Sequence, residues 1–173
     1  MSSESTAPVI VLRPARTSDV QAIKSLVAPL AERRILISKE SVTYFEAIQE
    51  FWIAEVDGET VGCGALHVMW EDLAEIRTLA TADSWRGKGV GRAIVEKLLA
   101  NGRTLGVSRV FCLTFEVDFF IRNGFTVMAD QSPVDPEVYS ELLRSADEGI
   151  AEFLDLARVK PNTLGNTRMI CQL

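Results

Sequence analysis

Apolar residues recur along the chain with two alternating periods, and the switches between them order the elements. Residues 9–15, "VIVLRPA", form a β-rich run that stops at "RTSD". There Thr17 or Ser18 can cap a helix carrying Val20, Ile23, Leu26 and Val27. The stretch after Pro29, "LAERRILISKE", has no clear period, and Val42, Phe45, Ile48 and Gln49 then fall at helical intervals in "SVTYFEAIQEF". From Phe51 the period becomes that of strands. "FWIAEV" and "ETVGCGALHVMW" flank Asp57-Gly58, a strong hairpin signal, and "LAEIRTLA" follows, which predicts three consecutive antiparallel strands.

Helical spacing returns with Ile94, Val95, Leu98 and Leu99. The apolar run "VSRVFCLTF", bounded by Gly106, predicts a buried strand parallel to the preceding one, because a helical crossover joins the two. A short helix "VDFFIRN" ends at Gly124, "FTVMA" is a further strand, and Pro136 opens a helix that continues into a second apolar piece with Ile150, Phe153, Leu154 and Leu156. "TRMICQL" closes the chain as a strand. With no repeat or linker, the expectation is a tail over residues 1–8 and one mixed α/β (α+β) domain over 9–173.

Three glycines, Gly87, Gly89 and Gly91, interrupt this pattern in "RGKGVG", just before the helix of Ile94. Glycine permits positive φ and close approach, and a helix N-terminus presents unpaired N–H groups at the positive end of the dipole. Arg86, Lys88 and Arg92 add charge, so a diphosphate is the natural guest; the alternative is a solvated turn that only begins a helix.

Composition narrows the choices. A net charge of −6 over 173 residues argues against general nucleic-acid binding, which needs a broad basic surface. Cys63, Cys112 and Cys171 lack metal-ligand spacing and sit in apolar runs, so they are expected as buried free thiols in a cytoplasmic protein without a metal. "MSSESTAP" has neither the basic start nor the apolar core of a signal peptide, and no stretch is long and apolar enough to span a bilayer.

The element order and "RGKGVG" together resemble the GNAT N-acetyltransferases, whose acetyl-CoA signature [QR]-x-x-G-x-[GA] is met by Arg86, Gly89 and Gly91. Within that superfamily "ILISKES", "GALHV", "LAEIRTLA", "FCLTF" and "FFIRNGF" are similar to stretches of N-acetylglutamate synthase. The likeness covers residues 11–129, with a weaker echo in "NTRMICQL". Longer synthases carry a preceding amino-acid-kinase domain. This chain resembles the short, free-standing form, so arginine regulation is not carried over.

The resemblance implies the GNAT fold, a mixed, mostly antiparallel sheet whose central parallel strands splay around acetyl-CoA. It places the pyrophosphate on Arg86, Gly87, Lys88, Gly89, Val90, Gly91 and Arg92, the pantetheine arm along Leu79, Ala80 and Thr81, and Phe119 and Phe120 against that arm. Glu75 occupies the position of the family's general base, with His67 on the adjacent strand as rival. Many GNAT enzymes use a tyrosine as general acid where this chain has Phe120, which leaves Thr114 or water to protonate the leaving sulfur. Ser38, Lys39, Arg77 and Arg168 are the candidates for a substrate's carboxylates, though each is equally well an ordinary solvated or packed residue. Lys160 is suggested for closure over the site by chain order alone.

The implied function is acetyl-CoA-dependent acetylation of the α-amine of L-glutamate, the first step of arginine biosynthesis, with L-glutamine as a second acceptor. Two alternatives stand beside it: acetylation of another small amine or a protein N-terminus, and a non-catalytic acyl-CoA-binding regulatory module. The expected partner is a small-molecule amino acid, with no nucleic acid and no membrane. GNAT proteins are frequently dimers, and the helices around Phe153 and Leu154 either cover the core or form such a homodimer surface.

Overall fold

Asp57 and Gly58 both adopt left-handed backbone, at φ 50° and 80°, as a tight type I′ hairpin requires. The turn returns β2 (Phe51–Val56) as β3 (Glu59–Trp70), with Val56 opposite Glu59. On the other side of β2 lies β1 (Val11–Pro14), antiparallel, with Pro14 opposite Trp52. An edge strand tolerates the missing N–H of Pro14. The remaining strands are β4 (Leu73–Thr81), β5 (Arg109–Thr114), β6 (Thr126–Val127) and β7 (Thr167–Gln172). All seven belong to one mixed sheet ordered β1-β2-β3-β4-β5-β7-β6. The computed structural model describes residues 6–128, 134–154 and 165–173. The chain divides into two compact units, Met1–Leu66 with Arg77–Leu98 and His67–Ile76 with Leu99–Leu173, so β3 and β4 contribute to both.

In the first unit α1 (Val20–Glu32) buries Val20, Ile23, Val27 and Leu30 in a cluster with Phe51, Ile53, Cys63, Ala65 and Ala80. Three expectations need correction. Neither Thr17 nor Ser18 caps this helix. Residues Thr17–Asp19 form a 3-10 turn, and the Asp19 carboxylate instead takes the Arg16 N–H at 2.6 Å and two Arg13 N–H bonds at 2.8 Å. The helix also continues through Pro29 to Glu32, because burial of Leu30 outweighs the loss of one backbone bond near the helix end. Finally, α2 (Ser41–Glu46) ends early and turns its other face inward. Tyr44 is buried, edge-to-face on Phe51 at 6.1 Å, while Val42 and Phe45 are exposed.

On the other face of β3 lies α3 (Val90–Leu105), with Val90, Ile94, Val95 and Leu98 buried. Gly62 and Gly64 make this approach close. A Cβ on Gly62 would fall 2.8 Å from Val90 Cγ1, and one on Gly64 would fall 2.8 Å from Ile94 Cγ2. Such glycines in a strand mark close packing of a neighbouring element.

In the second unit β5 runs parallel to β4, pairing Leu73 with Arg109 and Glu75 with Phe111, as the crossover predicts. The antiparallel partner of β5 is β7, over six residue pairs from Arg109↔Gln172 to Thr114↔Thr167. The chain also forms α4 (Val117–Arg122), α5 (Pro136–Leu142) and α6 (Glu148–Phe153). Asp135 and Asp147 cap α5 and α6 by accepting the N–H groups of Glu137 and Ile150. Met69, Leu73, Phe111, Leu142, Ile150, Phe153 and Leu154 form the core. The expected strand "FTVMA" shortens to Thr126–Val127, and Leu156 and Lys160 lie outside the described residues.

Candidate active site

The glycine loop of the first unit has the conformation of an anion cradle. Gly87 and Gly89 sit at φ 73° and 86°, and a Cβ at either would meet nothing within 4 Å. Arg86 to Gly89 are exposed, and the first bond of the following helix runs from the Ala93 N–H to the Gly89 carbonyl at 3.0 Å. The N–H groups just before Ala93 therefore have no intrahelical acceptor, at the positive end of a 16-residue helix. Lys88 rests its ammonium 4.9 Å from the Trp85 ring, and Arg92 pairs with Glu96 one turn on. A cavity of about 280 Å³ borders Thr81 and Ala82 where β4 runs into this loop, with Ser25, Arg33, Thr60 and Asp83 also lining it.

Just upstream, β4 holds an unusual residue. Thr78 has φ 52°, a region that a β-branched side chain resists. Its carbonyl accepts the Cys63 thiol at 3.5 Å, and the Ala80 N–H donates to the same sulfur. Cys63 is fully buried, and burial pushes its thiol up to about 12. Nearby, the Tyr44 phenol accepts the N–H of Lys39. Burial raises this phenol above its ordinary value, Cys63 adds to the effect, and the Lys39 bond opposes it. Lys39 is thus held by its main chain with its side chain half-buried, whereas Ser38 is exposed. Arg77, Leu79 and Thr81 are half-buried on the same strand.

The second unit carries the candidate acid and base. Glu75 is 8% exposed on β4, opposite Phe111. Its charge adds to the burial that keeps the Cys112 thiol protonated, well above the ordinary value. His67 on β3 lies 3.6 Å from Asp147, the cap of α6. Thr114 ends β5, buried, and its Oγ1 accepts the Glu116 N–H at 2.8 Å, which leaves the hydroxyl proton to donate elsewhere. Phe120 is buried between Phe119 and Phe125, with ring centroids 5.1 and 5.0 Å away, while Phe119 is half-buried. Arg168 donates from Nη2 to the Phe153 carbonyl at the end of α6, and its buried Nε has no hydrogen-bond partner among the described residues. Among those residues no group of three or more His, Cys, Asp or Glu could hold a metal ion. All three cysteines are free and buried, as their apolar surroundings in the sequence suggest.

The model of the Acetyltransferase (GNAT) family matches residues 23–125, more than half of the chain. The chain belongs to this family. An amino-acid acetyltransferase of Mycobacterium tuberculosis is 55% identical over 166 residues, covering 94% of each sequence. The crystal structure of Rv2747 from the same organism, a complex that includes CoA, superposes with a TM-score of 0.87 at 55% identity, covering 94% of this chain and 99% of that one. An N-acetylglutamate synthase from Neisseria gonorrhoeae, complexed with coenzyme A and N-acetyl-glutamate, gives a TM-score of 0.76 at 23% identity. There the match covers 97% of this chain and 36% of the synthase, and the likeness is one of fold. As a GNAT acetyltransferase, the chain is an enzyme with acetyl-CoA as its co-substrate.

The GNAT frame also exposes what the sequence reading missed. Gly62 and Gly64 seat the helix that follows the glycine loop, and their Gly-x-Gly spacing inside a strand was the available signal. Tyr44 and Cys63 surround Lys39 and Thr78. No local pattern marks either one, because the partners are 5 and 15 residues away on other elements.

Proposed function

We propose that the enzyme acetylates the α-amine of an amino acid, with L-glutamate as the principal acceptor and L-glutamine as the second. The observation that carries the amino-acid acceptor is the 55% identity, across 94% of both sequences, to an amino-acid acetyltransferase. For the acyl donor, the support is the pair of left-handed glycines left open at the start of α3. In this reading the main-chain N–H groups of residues 87–92, with the Arg86 side chain, bind the pyrophosphate of acetyl-CoA, and the pantetheine arm lies along Leu79, Ala80 and Thr81.

Glu75 acts as general base. Its carboxylate, buried on β4, takes a proton from the acceptor's ammonium directly or through water. The neutral amine attacks the thioester carbonyl, a main-chain N–H of β4 stabilises the oxyanion, and collapse breaks the C–S bond. The thiolate takes the proton lost by the nitrogen of the tetrahedral intermediate, relayed through the Thr114 hydroxyl or water so that Thr114 ends neutral, giving the N-acetyl amino acid and free CoA. His67, 3.6 Å from Asp147, is the second base candidate. Ser38, Lys39, Arg77 and Arg168 are assigned to the acceptor's carboxylates.

Purified enzyme with acetyl-CoA and a panel of amino acids tests this reading, with free thiol measured and products weighed by mass spectrometry. Glutamate should accelerate CoA release over the no-acceptor control, and Glu75→Gln should remove most of that rate while leaving CoA affinity nearly intact. If neither glutamate nor glutamine accelerates release, the acceptor is wrong.

A further inference from the structure

We propose that Cys63 is a positioning residue for acyl transfer: its thiol reaches from β3 to clasp the left-handed main chain of β4 at the Thr78 carbonyl and the Ala80 amide. The part played in transfer rests on the reading that the acyl donor lies along residues 79–81.

Three observations converge on it. A threonine at φ 52° persists only where its surroundings over-determine the backbone. The sulfur supplies two such restraints, donating to the carbonyl before Leu79 and accepting from the amide after it. Both peptide planes flanking Leu79 are thereby fixed at one atom each. Because a trans peptide points its N–H opposite its carbonyl, turning the Thr78 carbonyl toward Cys63 aims the Leu79 N–H away from β3. The thiol itself has no alternative partner in water. It is fully buried in the cluster of Ile23, Val27, Tyr44, Phe51 and Ile53, and at about 12 it remains a donor throughout the working pH range.

Without the clasp, Thr78 is free to relax to negative φ and swing the Leu79 N–H out of line. A group placed this way changes the rate of the chemical step and leaves phosphate binding alone. Cys63→Ala should therefore lower kcat about tenfold or more, by analogy with loss of an oxyanion donor. The Kd for free CoA should change by less than about threefold, since the loop that holds phosphate is untouched. Cys63→Ser, which keeps one donor and one acceptor, should recover most of the loss. Glycine adopts positive φ without strain, so in a Thr78→Gly background the Cys63→Ala penalty should shrink to below about threefold.

A cysteine that only fills space would show the same fractional loss in both backgrounds, and that result overturns the proposal, as does a Cys63→Ala enzyme with wild-type kcat. If the wild type acetylates no amino acid, the acceptor reading fails while the clasp is still judged by amide hydrogen exchange at Ala80. Loss of protection in Cys63→Ala with return in Cys63→Ser supports the clasp, and unchanged protection overturns it.

Discussion

One methyl group on Gly62 should weaken acetyl-CoA binding by pressing on the start of α3. The added Cβ of Gly62→Ala would lie 2.8 Å from Val90 Cγ1, 2.9 Å from Ile94 Cδ1 and 3.2 Å from the Ala80 carbonyl oxygen. Carbon atoms settle at roughly 3.5–4.0 Å, so the helix must retreat by several tenths of an ångström or side chains must leave their rotamers. Ile94 can swing its terminal methyl, but Val90 is β-branched and stiff, and Val90 is the first residue of α3. Overpacking of this kind costs about 1–3 kcal/mol, offset by about 0.5–1 kcal/mol from the lower chain entropy of alanine. A net loss of up to about 2.5 kcal/mol lowers Tm by up to about 10 °C for a protein of this size. Because the displaced residue lies just beyond Gly89, CoA affinity should fall by about threefold or more, an effect near 0.7 kcal/mol.

Differential scanning calorimetry and isothermal titration with CoA measure the two quantities. Gly58→Ala is the control. Its φ of 80° makes alanine strained, but nothing lies within 4 Å of the new Cβ, so it should lower Tm and leave CoA affinity unchanged. Wild-type CoA affinity in Gly62→Ala, or an equal loss in Gly58→Ala, would refute the argument.

Gly89→Val places a β-branched residue at φ 86° and should reduce CoA affinity more than Arg86→Ala, which removes one mobile charge; equal titration curves for valine variant and wild type would rule out the loop as the phosphate site. Tyr44→Phe removes the acceptor of the Lys39 N–H and should raise KM for the amino acid by about threefold to tenfold while KM for acetyl-CoA stays put, as steady-state kinetics would show. Arg13 holds the Asp19 carboxyl below its ordinary value, against the upward pull of burial and with help from the Arg16 N–H. A carboxyl depressed in the folded state contributes stability that is full above the unfolded value near 4 and is lost as pH falls through the folded value. Asp19→Asn should therefore be less stable by roughly 1–3 kcal/mol at pH 7, and urea unfolding at falling pH should show that gap closing below about pH 4.

Where one short stretch dictates its own geometry, the sequence by itself determined the outcome. Asp57-Gly58 specifies a left-handed turn because few other pairs tolerate two positive φ angles, and that fixes the first pairs, Val56 with Glu59 and Glu55 with Thr60, before the register shifts between Ala54 and Glu55. "RGKGVG" before a helical period specifies an open loop at a positive helix end. Apolar runs around Cys63, Cys112 and Cys171 place three thiols in the interior. The parallel pairing of β4 with β5 follows from the helical crossover between them.

Only the tertiary structure decided questions in which several partners compete for one position. Val42 and Phe45 have the helical spacing of a buried face, yet α2 is short enough to turn Tyr44 inward, where the phenol also meets the Lys39 amide. Pro29 breaks helices in isolation, but the packing of Leu30 carries α1 past it. Thr78 has no local reason to be left-handed, and its carbonyl meets a sulfur contributed by the neighbouring strand. Local backbone preference is encoded within a few residues. Which face is buried, and which strained angle survives, depends on atoms that only folding brings near.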